Sequence, residues 1–184
     1  MMISPAIGAL EFNSIARGIE SADAMVKAAR VDLFASKTIC PGKYLTLIHG
    51  EVSSVTAAVE AGKSIARGAV VDEFIIPNVH AQVFPALTGT ATLGEMLAIG
   101  VLESYSALTG ILAGDAAAKA ATVDLIEIRL ANGIGGKAIL TLTGNVADVE
   151  AAIRAGEAAI AHTGLFVAAV VIPGPHADIK KFLI

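Results

Sequence analysis

Tryptophan is absent, aromatic residues make up only 4% of the 184, cysteine occurs once, and charged residues amount to 16%. Each scarcity excludes something. One thiol cannot form an internal disulfide, which fits a reducing cytosol, and any metal held by cysteine has to draw further ligands from other chains. So few aromatics leave out the stacking platforms on which single-stranded nucleic acid binds. The 13 basic and 17 acidic residues are interspersed and sum to −4, so no basic stripe is there to neutralise phosphates and nucleic acid is not an expected partner. The longest apolar stretch, Gly164 to Pro175, falls short of the roughly 20 residues that span a bilayer, so no membrane partner is expected. The opening MMISPAIGALEF has no basic n-region and carries a Glu in its apolar run, so it does not read as a secretory signal.

Apolar residues are abundant instead, at 55% of the chain. Against an average of about 25% charged residues in globular domains, this chain has too little charge to cover a monomer's surface. With a membrane excluded, the remaining expectation is that much of the surface is buried against other protein.

The chain repeats itself. Ala6-Ile-Gly-Ala-Leu-Glu11 recurs as Ala98-Ile-Gly-Val-Leu-Glu103, and residues 6–33 match 98–125 at 16 of 28 positions, where chance in an Ala-rich chain gives about 2–3. The shared positions include Ser14/Ser106, Gly18/Gly110, Asp23/Asp115 and Lys27/Lys119, and after a two-residue insertion Lys43/Lys137 and Gly50/Gly144. A third block pairs Ile76-Pro-Asn-Val-His-Ala81 with Ile172-Pro-Gly-Pro-His-Ala177. The expected organisation is a first domain over 1–88, a linker over 89–97 and a second domain over 98–184.

Each copy reads as strand, helix, strand, strand, helix, strand. Ile15, Ile19, Ala22, Val26 and Ala29 recur at helical period and form one apolar face. Asn145 followed by Asp148 predicts a helix start close to a capping box, with Val146, Val149, Ile153 and Ile160 as its apolar face. The segments 31–36, 44–49 and 70–76, with counterparts 123–129, 138–143 and 165–172, are short, rich in β-branched residues and end at Gly or Pro, as strands do. A βαββαβ order predicts an α+β, ferredoxin-like sheet with both helices on one face.

Most candidate chemistry dissolves on inspection. Gly62-Lys-Ser64 and Gly136-Lys137 look like the end of a phosphate loop, but the glycine needed five places earlier is Ala57 or Ala131. Gly133-Ile-Gly-Gly136 is a weak glycine turn. His49, His80, His162 and His176 lack metal-ligand spacing. His80 and His176 sit at matched places after Ile-Pro, which points to a turn both copies need. The duplicated Glu11 and Glu103 read as structural partners for a backbone group or a lysine rather than as general acids.

Cys40 stands apart. A lone cysteine is ordinarily a buried small hydrophobe, but this one lies in Thr38-Ile-Cys-Pro-Gly-Lys43 between two predicted strands, which is turn chemistry. The counterpart loop, Leu130-Ala-Asn-Gly-Ile-Gly-Gly-Lys137, has no cysteine. One exposed Cys per chain on a threefold axis would bring three thiolates to one point.

With these motifs assembled, both copies resemble the bacterial microcompartment (BMC) shell domain: the Ala-Ile-Gly-x-Leu-Glu opening, the Asp-Ala-x-x-Lys-Ala-Ala helix, the Gly-Lys after the second strand's loop, and Ile-Pro-x-x-His near the end. The arginine of the single-domain pattern Pro-Arg-Pro-His is missing from Pro77-Asn-Val-His80 and from Pro173-Gly-Pro-His176. The resemblance implies a non-enzymatic tandem-domain shell protein of the bacterial cytoplasm, a homotrimer that imitates a hexamer and tiles with other microcompartment shell proteins. Residues 36–43 resemble specifically the tandem shell proteins of propanediol utilisation. That implies a [4Fe-4S] cluster shared by three chains, held by Cys40 in a central pore, serving electron transport or cluster delivery, with lumen redox enzymes as further partners. The resemblance places Ile39, Cys40, Pro41 and Gly42 and also Asn132, Gly133, Ile134 and Gly135 in pore loops. It places Lys27, Lys119, Asn78, His80 and His176 at tile edges. Two other readings stand beside it: a metal-free metabolite pore, and a soluble trimeric ferredoxin-like sensor or enzyme, which would need a pocket with convergent polar groups.

Overall fold

The computed structural model describes residues 6–183 and divides into two compact units, the first ending at Val79 and the second beginning at His80. In the first unit, strand β1 (Ala6–Phe12) leads into helix α1 (Ile15–Ala28), strands β2 (Asp32–Ile39) and β3 (Lys43–Gly50), helix α2 (Val52–Ile65) and strand β4 (Val70–Ile76). The sheet order is β2-β3-β1-β4, with every neighbouring pair antiparallel. This is the order expected when each helix carries the chain across one strand to a parallel position.

Both helices lie on the Gly8/Leu10 side of β1. A Cβ on Gly8 would fall 2.6 Å from Val55, and a Cβ on Gly62 would fall 2.6 Å from Met25 and 2.9 Å from Leu10, so α2 is pressed on both β1 and α1. Leu10, Phe12, Met25, Tyr44, Ile48, Val55 and Val59 form the core between these layers. At Gly18 the α1 backbone rests on the Tyr44 ring, where a Cβ would come within 2.5 Å, and at the matched Gly110 a Cβ would come within 2.4 Å of Ala138. The duplicated glycine is thus the place where the first helix of each copy touches the third strand.

Ser14 and Ser106 cap these helices by accepting from the Arg17 and Leu108 amides. The apolar face expected on α1 is present but turned: Gly18, Ser21, Ala22 and Met25 are buried, while Ile15, Ile19 and Val26 are exposed. Gly18, Ser21 and Ala22 are small because close approach requires it, Met25 fills the space against α2, and Ile15, Ile19 and Val26 are left on the other side.

The second unit begins with helix α3 (Val83–Thr88) and then repeats the pattern: β5 (Ala98–Ser104), α4 (Ala107–Ala120), β6 (Val123–Leu130), β7 (Ala138–Gly144), α5 (Val146–Ile160), a 3₁₀ turn (Ala161–Thr163), β8 (Phe166–Pro173) and α6 (Ala177–Lys180). Its sheet order is β6-β7-β5-β8, again antiparallel throughout. Asn145 stands at the N-cap position of α5 as predicted, but its side chain accepts from no helix amide; its Nδ2 donates to Asp148 Oδ2 at 3.4 Å, and no capping box forms. Of the expected α5 face, Val149, Ile153 and Ile160 are buried and Val146 is exposed.

Residues 80–88 follow the first repeat in sequence but pack with the second unit. The Gln82 amide brackets β6, its Nε2 donating to Val123 O at 3.1 Å and its Oε1 accepting from Leu125 N at 2.8 Å. No helix among the described residues is long and apolar enough to cross a membrane.

Candidate functional site

The turn between β2 and β3 consists of Cys40, Pro41 and Gly42. Ile39 closes β2 and is buried, Cys40 is half-buried, and Pro41 and Gly42 are exposed. Gly42 has φ +69°, the left-handed conformation a glycine supplies without strain, and a Cβ there would meet open space. The thiol therefore sits on a tight projection at the end of the sheet rather than in the core, as its turn chemistry predicted.

Its foot is anchored. Lys43 Nζ lies 2.7 Å from Glu11 Oε1, and the Glu11 side chain is only 2% exposed. Among the described residues, the second oxygen of that carboxylate, Oε2, has no hydrogen-bond partner. The same pair recurs in the second unit, where Lys137 Nζ lies 3.0 Å from Glu103 Oε2 and 5.7 Å above the Tyr105 ring. The hydrogen bond that Lys137 donates to Glu103, and the negative charge of that carboxylate, hold the Lys137 ammonium above the usual lysine range. The duplicated glutamates are structural partners of lysines, as their duplication suggested.

The counterpart loop 131–137 is built from backbone alone. Ala131 N donates to Lys137 O at 2.8 Å, Lys137 N donates to Ile134 O at 3.2 Å, and Ala131, Gly133, Gly135 and Gly136 all have positive φ. Asn132, Gly133 and Gly135 are exposed and Ile134 is half-buried. Four residues in left-handed geometry make it a compact turn closed by backbone hydrogen bonds.

The residues assigned to tile edges divide. Lys27 is 72% exposed and pairs with Asp23 at 2.6 Å. Lys119 makes the matching pair with Asp115 at 2.6 Å, but Asp115 is almost buried and its other oxygen accepts from the His80 amide at 2.7 Å. Asn78 occupies an exposed left-handed turn position with φ 54°. His80 Nδ1 accepts from Gln82 N, and His176 Nδ1 accepts from Asp178 N. The two histidines thus stabilise one turn in both copies. The Gln82 bracket on β6 had no sequence signal, because its matched residue is Asp178.

Two arrangements bear on the rival readings. Among the described residues, no three His, Cys, Asp or Glu side chains converge as a metal site, so a cluster at Cys40 needs thiolates from other copies. A cleft of about 400 Å³ in the second unit is walled by Leu93, Val101, Ile126 and Ile139, and its two charged residues, Glu127 and Arg129, are paired with each other at 3.0 Å. That is not a convergent polar set awaiting a ligand.

The BMC domain matches residues 6–79 and 98–175. The chain belongs to the BMC-domain family. It is 41% identical over 182 residues, 99% of both chains, to the bacterial microcompartment shell protein PduT of Citrobacter freundii. A single-domain relative, the shell protein EutM of Salmonella typhimurium, matches 44% of this chain at 39% identity with 88% of its own length. Among solved structures, a microcompartments protein from Desulfitobacterium hafniense DCB superposes with a TM-score of 0.90 at 50% identity, covering 96% of this chain and 98% of that one. This is a tandem BMC-domain shell protein resembling PduT, of a structural, non-enzymatic family.

Proposed function

We propose that three copies of this chain form a flat tile of a microcompartment shell, with six BMC domains around one opening, and that Cys40 from the three chains holds a [4Fe-4S] cluster there. The observation that carries this reading is the position of Cys40. It is the chain's one thiol, on the projecting β2–β3 turn of a protein similar to PduT over 99% of its length, and the matched turn of the other copy has none. Three chains therefore supply three thiolates. Clusters of this type normally take four, so one iron would be bound by water, a small molecule or an added thiol. Bound there, the cluster would supply one-electron chemistry at an opening in the shell, for passing electrons or delivering iron and sulfide to enzymes inside.

Closed symmetry with two domains per chain gives sixfold geometry from three chains. In this reading the loops Ile39–Gly42 and Asn132–Gly135 face the opening. Lys27, Lys119, Asn78, His80 and His176 lie toward the rim, where neighbouring tiles cover the low-charge surface. The test is anaerobic purification with iron and sulfide analysis of wild type and Cys40→Ser. The expected result is a brown wild-type trimer and a colourless trimeric variant. If reconstituted wild type binds no iron, or the variant binds as much, the opening is a metal-free metabolite pore.

A further inference from the structure

We infer that the residues following β8 of one chain dock on α1 and β2 of a second copy, with Ile179 as the apolar anchor and the His176 amide bonded to Asp23. This rests on the trimeric reading and names the contact that builds it.

The template lies inside the second unit. Residues 80–88 follow the first repeat and engage the second: the His80 amide donates to Asp115 Oδ1 at 2.7 Å, Gln82 brackets Val123 and Leu125 of β6, and Val83 and Ala86 are buried. Residues 176–183 follow the second repeat and open with the same turn. His176 Nδ1 accepts from Asp178 N at 3.2 Å as His80 Nδ1 accepts from Gln82 N at 3.4 Å. Ile179 N donates to His176 O at 3.0 Å as Val83 N donates to His80 O at 3.0 Å. The outcome differs: Val83 is fully buried and the matched Ile179 is 50% exposed.

The receiving surface shows the complementary difference. Leu125 is 1% exposed and its match Leu33 is 48% exposed, while Ile111 is fully buried and its match Ile19 is 53% exposed. Asp23 spends Oδ2 on Lys27 as Asp115 spends Oδ2 on Lys119, and Oδ1 is the oxygen that takes the amide in Asp115. Each chain thus displays both halves of a contact whose template it already contains, and a second copy of this chain is the occupant that fits. Large aliphatic side chains exposed at positions where the repeat buries its own are the mark of a covered surface. One substitution adjusts the fit: Asp178, standing where Gln82 does, can accept from the Leu33 amide but cannot donate to Val31.

The two patches are different surfaces, so the contact is heterologous. Repeating it gives closed rings or running filaments, never a two-fold pair. The test uses the full chain and charge swaps at residues exposed in the protomer, Ile179→Asp and Leu33→Lys, with circular dichroism as the control for folding. Each single variant is expected to stay folded and to need at least about 100-fold more protein for half-assembly, because each carries a charge into an apolar contact. The double variant pairs the two charges and is expected to recover trimer mass. A wild-type trimer with Ile179→Asp assembling at the same concentration overturns this contact and leaves the trimer standing. A wild type that is monomeric at every concentration overturns both.

Discussion

The Lys43 ammonium reaches Glu11 Oε1 at 2.7 Å from a position three residues past Cys40. The thiol-bearing turn and the central strand are thereby joined through a carboxylate with almost no contact with water. Removing one partner of a buried ion pair leaves an uncompensated charge, which costs about 3–5 kcal/mol. Lys43→Met is therefore expected to destabilise the fold by that order in chemical denaturation. The double variant Lys43→Met with Glu11→Gln is expected to regain most of the loss. If the single variant unfolds at the wild-type midpoint, the pair does not anchor the turn.

Gly18 makes a second expectation sharp. On helix propensity alone, Gly→Ala inside α1 gains about 1 kcal/mol. Here a Cβ would come within 2.5–2.7 Å of three atoms of Tyr44, which is buried and hydrogen-bonded to Ser36 at 2.9 Å. Overpacking of this kind costs about 1–3 kcal/mol, so Gly18→Ala is expected to lower stability despite the better helix former. Tyr44→Phe with Gly18→Ala should not relieve it, since the clash involves the ring and its Cβ rather than the hydroxyl. A thermal melt at or above the wild-type midpoint would contradict the close packing of α1 on β3.

The duplication made most of this fold legible. The repeated block order gave the strand and helix pattern, and the kept Glu11/Glu103 marked structural partners of a lysine or backbone group, because each such position has to satisfy the same local geometry twice; that Ser14/Ser106 are caps and Gly18/Gly110 packing points is seen only in the structure. Helix phase was less legible. The period through Ile15, Ile19 and Val26 is right for a helix, but the buried side went to Gly18, Ser21, Ala22 and Met25, because close approach at Gly18 selects small residues while Met25 packs against Gly62 of α2. The packing of 80–88 with the second unit was hidden for a different reason. It depends on Gln82 and Asp115, which are 33 residues apart in sequence and share no motif. Cys40 was legible as a turn residue from Pro41-Gly42, while the chemistry proposed for it depends on copies outside the chain.

The Lys137–Glu103 pair sets a pH dependence. The folded-state value of Lys137 is raised above 10.5 by the hydrogen bond and charge of Glu103. A raised value means the contribution is fully present below the unfolded value and lost as pH rises through the folded one. The difference in melting temperature between wild type and Glu103→Gln is therefore expected to be constant from neutral pH to about pH 10 and to shrink above it. The pair is partly exposed, so added salt should also narrow the gap. A gap that widens toward alkaline pH would show that another group dominates.

The two lysines proposed for the rim are matched in sequence but not in surroundings, and this decides how tiling has to be tested. Lys27 and Asp23 are exposed, and pairs of this kind contribute about 0.2–1 kcal/mol. Lys119 neutralises an Asp115 that is almost buried and also holds the His80 amide. Lys27→Asp is expected to leave the melting temperature of the isolated chain nearly unchanged. Lys119→Asp, which sets a second carboxylate beside a buried one, is expected to destabilise by about 2–4 kcal/mol. A double charge reversal would therefore confuse a rim effect with a folding defect. Lys27 pairs with the Asp23 that the inferred contact between copies uses, so trimer mass is read alongside: with Lys27→Asp alone, loss of ordered sheets in electron microscopy at unchanged stability and trimer mass reports on contacts between tiles, whereas loss of trimer mass reports on the contact within one tile. Sheets indistinguishable from wild type would remove Lys27 from the rim, whatever Lys119 does.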